Sequence, residues 1–217
     1  MAWPQRALTL IACAVTPLIY GACASAGFPA SPSGASEIAV LGDSLAVSPR
    51  QDIAFPAVLQ SRLSSASGAW LVKSFSVNGS TTADGLTRLN AALADHPAIM
   101  IVELGANDGL QGINIATIRA NLQEIITRSK TAGAHILLCG METTPVHGFG
   151  YFGDFRNVFQ TIARDNDIAI TPFILGGVIG DPDLTIDLVH PNAAGARHIA
   201  DTIWPSLDDL VRQSTGL

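Results

Sequence analysis

The sequence is poor in the residues that build disulfide frameworks and metal centres. Its 217 residues include only three cysteines and five histidines. Cys13 and Cys23 lie near the N-terminus, so Cys139 has no partner for an internal disulfide once an N-terminal segment is removed. The histidines are dispersed, and no Asp or Glu pairs with them at ligand spacing. We therefore predict no metal site.

Positive charge is also scarce. Twelve Lys and Arg residues face eighteen Asp and Glu residues, and the formal net charge is −6. Nucleic-acid-binding proteins need clustered Lys and Arg to neutralise phosphates, so we predict no nucleic-acid partner. The sequence has neither a phosphate-binding glycine loop nor a dinucleotide-binding glycine pattern, and we predict no cofactor.

Residues 1–26 have the features of a secretory signal peptide. Arg6 precedes an apolar stretch at 7–18, and small residues follow at 22–26. The apolar stretch is short for a membrane span, so we expect export to the periplasm or the medium. Cleavage there would remove one positive charge and no acidic residue, which would change the formal charge from −6 to −7.

Cys23 is a candidate lipid-attachment site because Gly21 and Ala22 precede it. Tyr20 fits a lipidation signal poorly, so plain cleavage is the alternative. Residues 27–36 are rich in Pro, Gly and Ser and predict a flexible linker. The folded domain is expected over 37–217.

Strand and helix patterns alternate through this domain. Short apolar runs predict strands at 38–41, 70–72 with 75–77, 99–104, 136–139 and 168–170. Segments with helical spacing of apolar residues separate them, and a last helix carries Pro205, where we expect a bend. This order predicts an α/β fold with right-handed crossovers and a parallel sheet between two helical layers.

Ser44 ends a Gly-Asp-Ser sequence directly after the first strand and is a candidate nucleophile. A serine hydroxyl needs a base, an orienting acid and oxyanion donors. His190 is the candidate base, and Asp187 can accept its other ring N–H. Each part has a structural alternative. Asp43 and Ser44 could cap a helix, and Asp187 could organise a turn around Pro191.

Three donors are available for an oxyanion hole. They are the backbone N–H groups of Ser44 and Gly79 and the side-chain amide of Asn107, and Ser44, Gly79 and Asn107 all follow predicted strands. Gly79 and Asn107 could alternatively serve only as turn residues. Residues 143–154 predict a loop that covers a pocket. Its candidate substrate-binding residues are His147, Phe149 and Tyr151.

Taken together, the four blocks resemble those of the SGNH, or GDSL, hydrolases. The blocks lie at 42–45, 78–79, 105–108 and 187–191, and residues 102–110 are most similar to the exported bacterial arylesterase, thioesterase and lysophospholipase subgroup. The resemblance implies a flavodoxin-like sandwich with five parallel strands. It also implies Ser44 as nucleophile, His190 as base, Asp187 as orienting acid, and an oxyanion hole of Ser44, Gly79 and Asn107.

Two positions depart from the family pattern. Ala106 stands where close relatives often have Gly, and Leu188-Val189 stands where Gly-Ile is frequent. Neither change removes a functional group, although Leu188 could alter the turn that carries His190.

The leading hypothesis is a cofactor-independent serine esterase that acts on carboxylic esters or thioesters. A carbohydrate O-acetyl esterase is the first alternative, and an exported binding protein without turnover is the second. Loss of Ser44, Asn107, Asp187 or His190 would favour the binding protein, and all four are present.

Overall fold

A computed structural model describes residues 35–66 and 70–215. Within these ranges, one or two helices follow each of five strands, which gives six helices in total. The strands are β1 (Ser36–Gly42), β2 (Trp70–Ser74), β3 (Ile99–Glu103), β4 (His135–Gly140) and β5 (Ala169–Phe173). The helices are α1 (Phe55–Ala66), α2 (Thr82–Leu93), α3 (Ala106–Gln111), α4 (Ile115–Thr131), α5 (Phe149–Asn166) and α6 (Ala193–Thr215).

All five strands form one parallel sheet in the order β2-β1-β3-β4-β5. Helices α1 and α6 pack together, whereas α2 packs on α4 and α4 packs on α5. Each face of the sheet is therefore covered by helices, and the predicted three-layer sandwich with five parallel strands is confirmed.

The burial of the central strands explains why they could be predicted from the sequence. Every residue of β3 is buried, and all of β1 except its first residue is buried. A parallel strand that is covered on both faces needs a continuous apolar run and not an alternating one. The N–H groups of Phe75 and Val77 donate to the carbonyls of Val40 and Gly42, so pairing with β1 continues past the end of β2.

Pro205 lies inside α6, which continues past it, and the bend expected there stays a prediction. Two details differ from the predictions. β1 begins at Ser36, the last residue of the predicted linker. The predicted loop at 143–154 is shorter than expected because α5 begins at Phe149. Gly148 ends the preceding turn and has a positive φ of +92°. Gly150 and Gly153 lie inside that helix and face open space.

Several predictions concern residues outside the described ranges. They are the signal peptide at 1–26, most of the linker at 27–36 and lipid attachment at Cys23. These stay predictions. Among the described residues, no helix combines the length and the apolarity that crossing a bilayer requires.

Candidate active site

Ser44 lies at the carboxyl edge of the sheet, two residues after β1. It begins a single 3-10 turn (Ser44–Ala46), and the Asp43 carboxylate caps this turn by accepting the Leu45 N–H at 2.9 Å. Asp43 therefore has the capping role that the sequence offered as an alternative to catalysis. The cap also fixes the turn on which the Ser44 hydroxyl is presented.

Ser44, His190 and Asp187 form a continuous hydrogen-bonded chain. The Ser44 Oγ lies 3.0 Å from His190 Nε2, and His190 Nδ1 lies 2.6 Å from Asp187 Oδ2. The fold thus brings together two residues that are 146 positions apart in the sequence. The imidazole can accept a proton at Nε2 while its Nδ1–H is held by a carboxylate.

The Asp187 carboxylate also organises the turn that carries the histidine. Its Oδ1 accepts the N–H groups of Val189 at 3.1 Å and His190 at 2.7 Å. The bond from the His190 N–H, then the bond to the His190 ring and then the bond from the Val189 N–H lower the pKa of Asp187 from 3.8 to about 2. Asp187 is therefore ionised at neutral pH, although its side chain is 52% exposed.

Leu188, which stands where the family often has glycine, adopts a positive φ. Its φ is +71°, in the left-handed region that favours glycine. The carbonyl of Leu188 accepts the Gly180 N–H at 2.8 Å, and Ile186 donates its N–H to the His190 carbonyl at 2.9 Å. These bonds keep the turn in register despite the unfavourable residue.

The three candidate oxyanion donors differ in their availability. The N–H groups of Ser44 and Gly79 donate to no acceptor among the described residues, and Gly79 has a φ of +75° with open space where a Cβ would lie. The Asn107 amide is engaged, because Nδ2 donates to Asp43 Oδ2 and to the Ser80 carbonyl, both at 3.0 Å. An oxyanion at Asn107 would therefore have to share a hydrogen with one of these acceptors.

A second buried carboxyl lies behind the serine turn. Glu103, the last residue of β3, is 0% exposed, and its Oε2 accepts the Asp43 N–H at 3.1 Å. Burial and the charge of Asp43 raise the pKa of Glu103 well above 4.5. Burial also raises the pKa of Asp43 to about 6, although hydrogen bonds from Leu45 and Asn107 counter the effect.

The predicted substrate-binding residues lie together at the start of α5, where two of them bond to the backbone. His147 Nε2 lies 3.0 Å from the Leu110 carbonyl, and the Tyr151 hydroxyl donates to the Ile113 carbonyl at 2.9 Å. Phe149 is 83% exposed. None of the three lines the apolar pocket described next, and their role in binding stays a prediction.

An apolar pocket of about 230 Å³ is lined by residues next in sequence to Asn107 and His190. Its lining includes Ala106, Met141, Phe173, Leu175, Ile179 and Val189. Ala106 directly precedes Asn107, and Val189 directly precedes His190. Thr143 and Thr144, the first residues of the loop predicted to cover a pocket, also line it. Sequence reasoning missed the other lining residues because they come from the carboxyl ends of three strands and from the loop before His190. The available signal was that β4 and β5 end at the same edge as β1 and β3.

Metal ligands are not grouped in the part of the chain that the structure describes. No three His, Cys, Asp or Glu side chains there form a cluster that could hold an ion. The carboxyl groups nearest Ser44 are instead engaged with backbone N–H groups and with Asn107.

Comparison with known proteins agrees with this geometry. The chain is 32% identical to esterase TesA of Pseudomonas aeruginosa over 198 residues, which cover 89% of this chain and 98% of that protein. It is also 32% identical to the Escherichia coli K12 protein named thioesterase 1/protease 1/lysophospholipase L1, with coverage of 84% and 88%. The crystal structure of the psychrotrophic esterase EstA from Pseudoalteromonas sp. superposes with a TM-score of 0.76 at 28% identity and covers 82% of this chain and 99% of that one.

The family model for the GDSL-like lipases and acylhydrolases matches residues 40–198. This range begins within β1, ends within α6, and includes Ser44, Gly79, Asn107, Asp187 and His190. The chain belongs to the GDSL-like lipase/acylhydrolase family.

Proposed function

We propose that this chain hydrolyses carboxylic esters or thioesters through an acyl-enzyme on Ser44. The observation that carries the proposal is the Ser44 Oγ to His190 Nε2 distance of 3.0 Å, continued by the 2.6 Å bond from His190 Nδ1 to Asp187. A hydroxyl in line with an oriented imidazole is the arrangement that acyl transfer requires. The relatives named as esterases and a thioesterase support the same chemistry.

The reaction divides into two transfers. In the first, the Ser44 Oγ bonds to the substrate carbonyl carbon while its proton passes to His190 Nε2. The tetrahedral intermediate then collapses, and the imidazolium returns that proton to the departing alcohol or thiol. In the second, His190 takes a proton from water, the resulting hydroxide attacks the acyl-enzyme, and the acid leaves as Ser44 recovers its proton. Asp187, which is ionised at neutral pH, stabilises the imidazolium in both.

The negative oxygen of each intermediate needs preorganised donors. The Ser44 and Gly79 N–H groups are available because neither has an acceptor among the described residues. Asn107 would supply the third donor by sharing the hydrogen that now bonds to the Ser80 carbonyl. Its other hydrogen stays with Asp43, since a bond to a buried carboxylate is the stronger of the two.

Initial rates on a panel of substrates test the function. The panel is a chain-length series of p-nitrophenyl esters, phenyl acetate, an acyl thioester and acetylated xylan. Hydrolysis that depends on Ser44 and favours acyl esters or thioesters supports the proposal. Activity confined to acetylated xylan would favour the carbohydrate deacetylase, and no Ser44-dependent activity would favour the binding protein.

The apolar pocket is expected to take the acyl chain, so narrowing it should shorten the preferred substrate. Ile179 lines the pocket and is 44% exposed, which leaves room for a larger side chain without disturbing the core. We expect Ile179→Trp to lower kcat/KM for an octanoyl ester about tenfold more than for an acetyl ester.

Ile186→Trp is the matched control for this variant. Ile186 is 61% exposed and does not line the pocket. The same added bulk there should leave the chain-length profile unchanged. Equal profiles for both tryptophan variants would assign the acyl chain to another surface.

A further inference from the structure

A buried carboxyl that the reaction does not use directly lies behind the serine turn. Glu103 is the only charged residue of β3, and both Glu103 and Asp43 are 0% exposed. Its Oε2 accepts the Asp43 N–H, whereas its Oε1 has no partner among the described residues. Placing a carboxyl in such a position costs free energy, so its presence needs a physical reason.

Strand β1 leaves space for the Glu103 side chain. Gly42 is opposite Glu103 in the register of β1 and β3. A Cβ on residue 42 would lie only 2.6 Å from Glu103 Oε2 and 2.8 Å from Ser76 Oγ. The glycine of the Gly-Asp-Ser sequence therefore makes room for the Glu103 carboxyl, and the two residues form one feature.

Glu103 is connected to Asn107 through Asp43. Glu103 holds the backbone N–H of Asp43, and the Asp43 carboxylate holds the Leu45 N–H with one oxygen and the Asn107 amide with the other. The backbone of Asp43 leads directly into Ser44. A displacement of Asp43 would thus move both the nucleophile and one candidate oxyanion donor.

We propose that Glu103 is a positioning residue that acts as a neutral acid, fixing the Asp43–Ser44 turn and, through Asp43, the Asn107 amide. The inference rests on the proposed hydrolysis by Ser44. Two adjacent buried carboxyls do not both ionise readily. Asp43 accepts hydrogen bonds at both oxygens, from Leu45 and Asn107, whereas among the described residues Glu103 accepts one only at Oε2. Asp43 therefore carries the charge, and Glu103 keeps its proton.

The other charged and titratable groups near the pair agree with this assignment. Arg88 of α2 donates to the Gly42 carbonyl at 3.2 Å, and its charge acts on Asp43. The charge of Asp108 opposes the ionisation of Asp43. On the β4 side the buried Cys139 thiol is neutral, since burial raises its pKa well above its usual value.

Three substitutions at Glu103 test the role. Gln is neutral and nearly isosteric and can still accept the Asp43 N–H, so E103Q should keep kcat within about threefold of wild type. Leu cannot accept that hydrogen bond, and E103L should lower kcat about a hundredfold with little change in KM, as for a defect in oxyanion stabilisation. Asp is shorter by one methylene, so E103D should also lower kcat. This variant replaces E103L in the test if E103L does not fold.

Glu37 provides a matched control because it is a second buried glutamate. It lies at the opposite end of β1 and pairs with Lys73. E37Q and E37L should leave kcat unchanged at temperatures where they are folded. A fall in kcat for E37L equal to that for E103L would show a general loss of packing and would overturn the positioning role.

The pH dependence of stability gives a readout that needs no substrate. A carboxyl with a raised pKa binds its proton more tightly in the folded state, so the free energy of unfolding falls as pH rises above about 4.5. E103Q removes the contribution of Glu103 and should show a shallower fall than wild type in urea unfolding at pH 5 to 8. An unchanged slope would overturn the neutral-acid assignment.

The kinetic outcomes also separate the two proposals. Wild-type inactivity on every ester would overturn the proposed function, and the unfolding series would still test Glu103. An active wild type with an equally active E103L would overturn the positioning role alone. Equal large losses in E103Q and E103L would show that Glu103 acts as an anion.

Discussion

Replacing Ser44 with alanine is expected to lower kcat on every hydrolysed ester by about a thousandfold or more. The substitution removes Ser44 Oγ, the atom that would form the acyl bond. This oxygen is hydrogen-bonded to His190 Nε2. The fold should be unaffected, because the His190 side chain is 33% exposed and can bond to water instead. Initial rates of p-nitrophenyl butyrate hydrolysis, beside thermal unfolding of both proteins, measure the two effects.

Ser64→Ala is a suitable control for this experiment. Ser64 lies on α1, is exposed, and donates to the Gln60 carbonyl. It should retain wild-type rates. Wild-type turnover by the Ser44 variant would refute the nucleophile assignment, and failure of that variant to fold would show that Ser44 has a structural role.

Replacing His190 with alanine should cause a loss of similar size. Without the imidazole no base lies within hydrogen-bond reach of the Ser44 hydroxyl, and the leaving group has no acid to protonate it. We expect kcat to fall about a thousandfold. His135→Ala is the control, since His135 is exposed at the start of β4 on the opposite edge of the sheet.

Combining the two substitutions distinguishes a catalytic pair from two independent effects. Residues that act in one proton transfer are not additive, because removing either one already abolishes the transfer. The Ser44→Ala/His190→Ala protein should therefore be about as slow as each single variant. A further large loss in the double variant would mean that one of them contributes through another route.

The fold and the principal site residues were predictable because each depends on a local pattern. β1 and β3 are buried on both faces and appear as continuous apolar runs. Ser44 and Asn107 directly follow such runs, and the parallel topology brings the ends of the runs to one edge. Their separation from His190 in the sequence therefore did not matter.

Two features could not be predicted from the local sequence. Glu103 was included in an apolar run, because nothing in its local sequence indicates that its carboxyl lies over Gly42 of another strand. The early start of α5 at Phe149 was hidden by Gly150 and Gly153, which usually disfavour helices. Both glycines face open space, so packing does not oppose their helical conformation.

The turn that carries His190 has a different local stability from the strand that carries Ser44. β1 is buried within the sheet, whereas residues 186–190 belong to no helix or strand, and none of them is buried. Segments with few buried contacts open at a lower free energy than the core and do so without global unfolding. The Ser44–His190 pair can therefore separate while the sheet stays intact. We therefore expect heat or denaturant to abolish activity before the core melts.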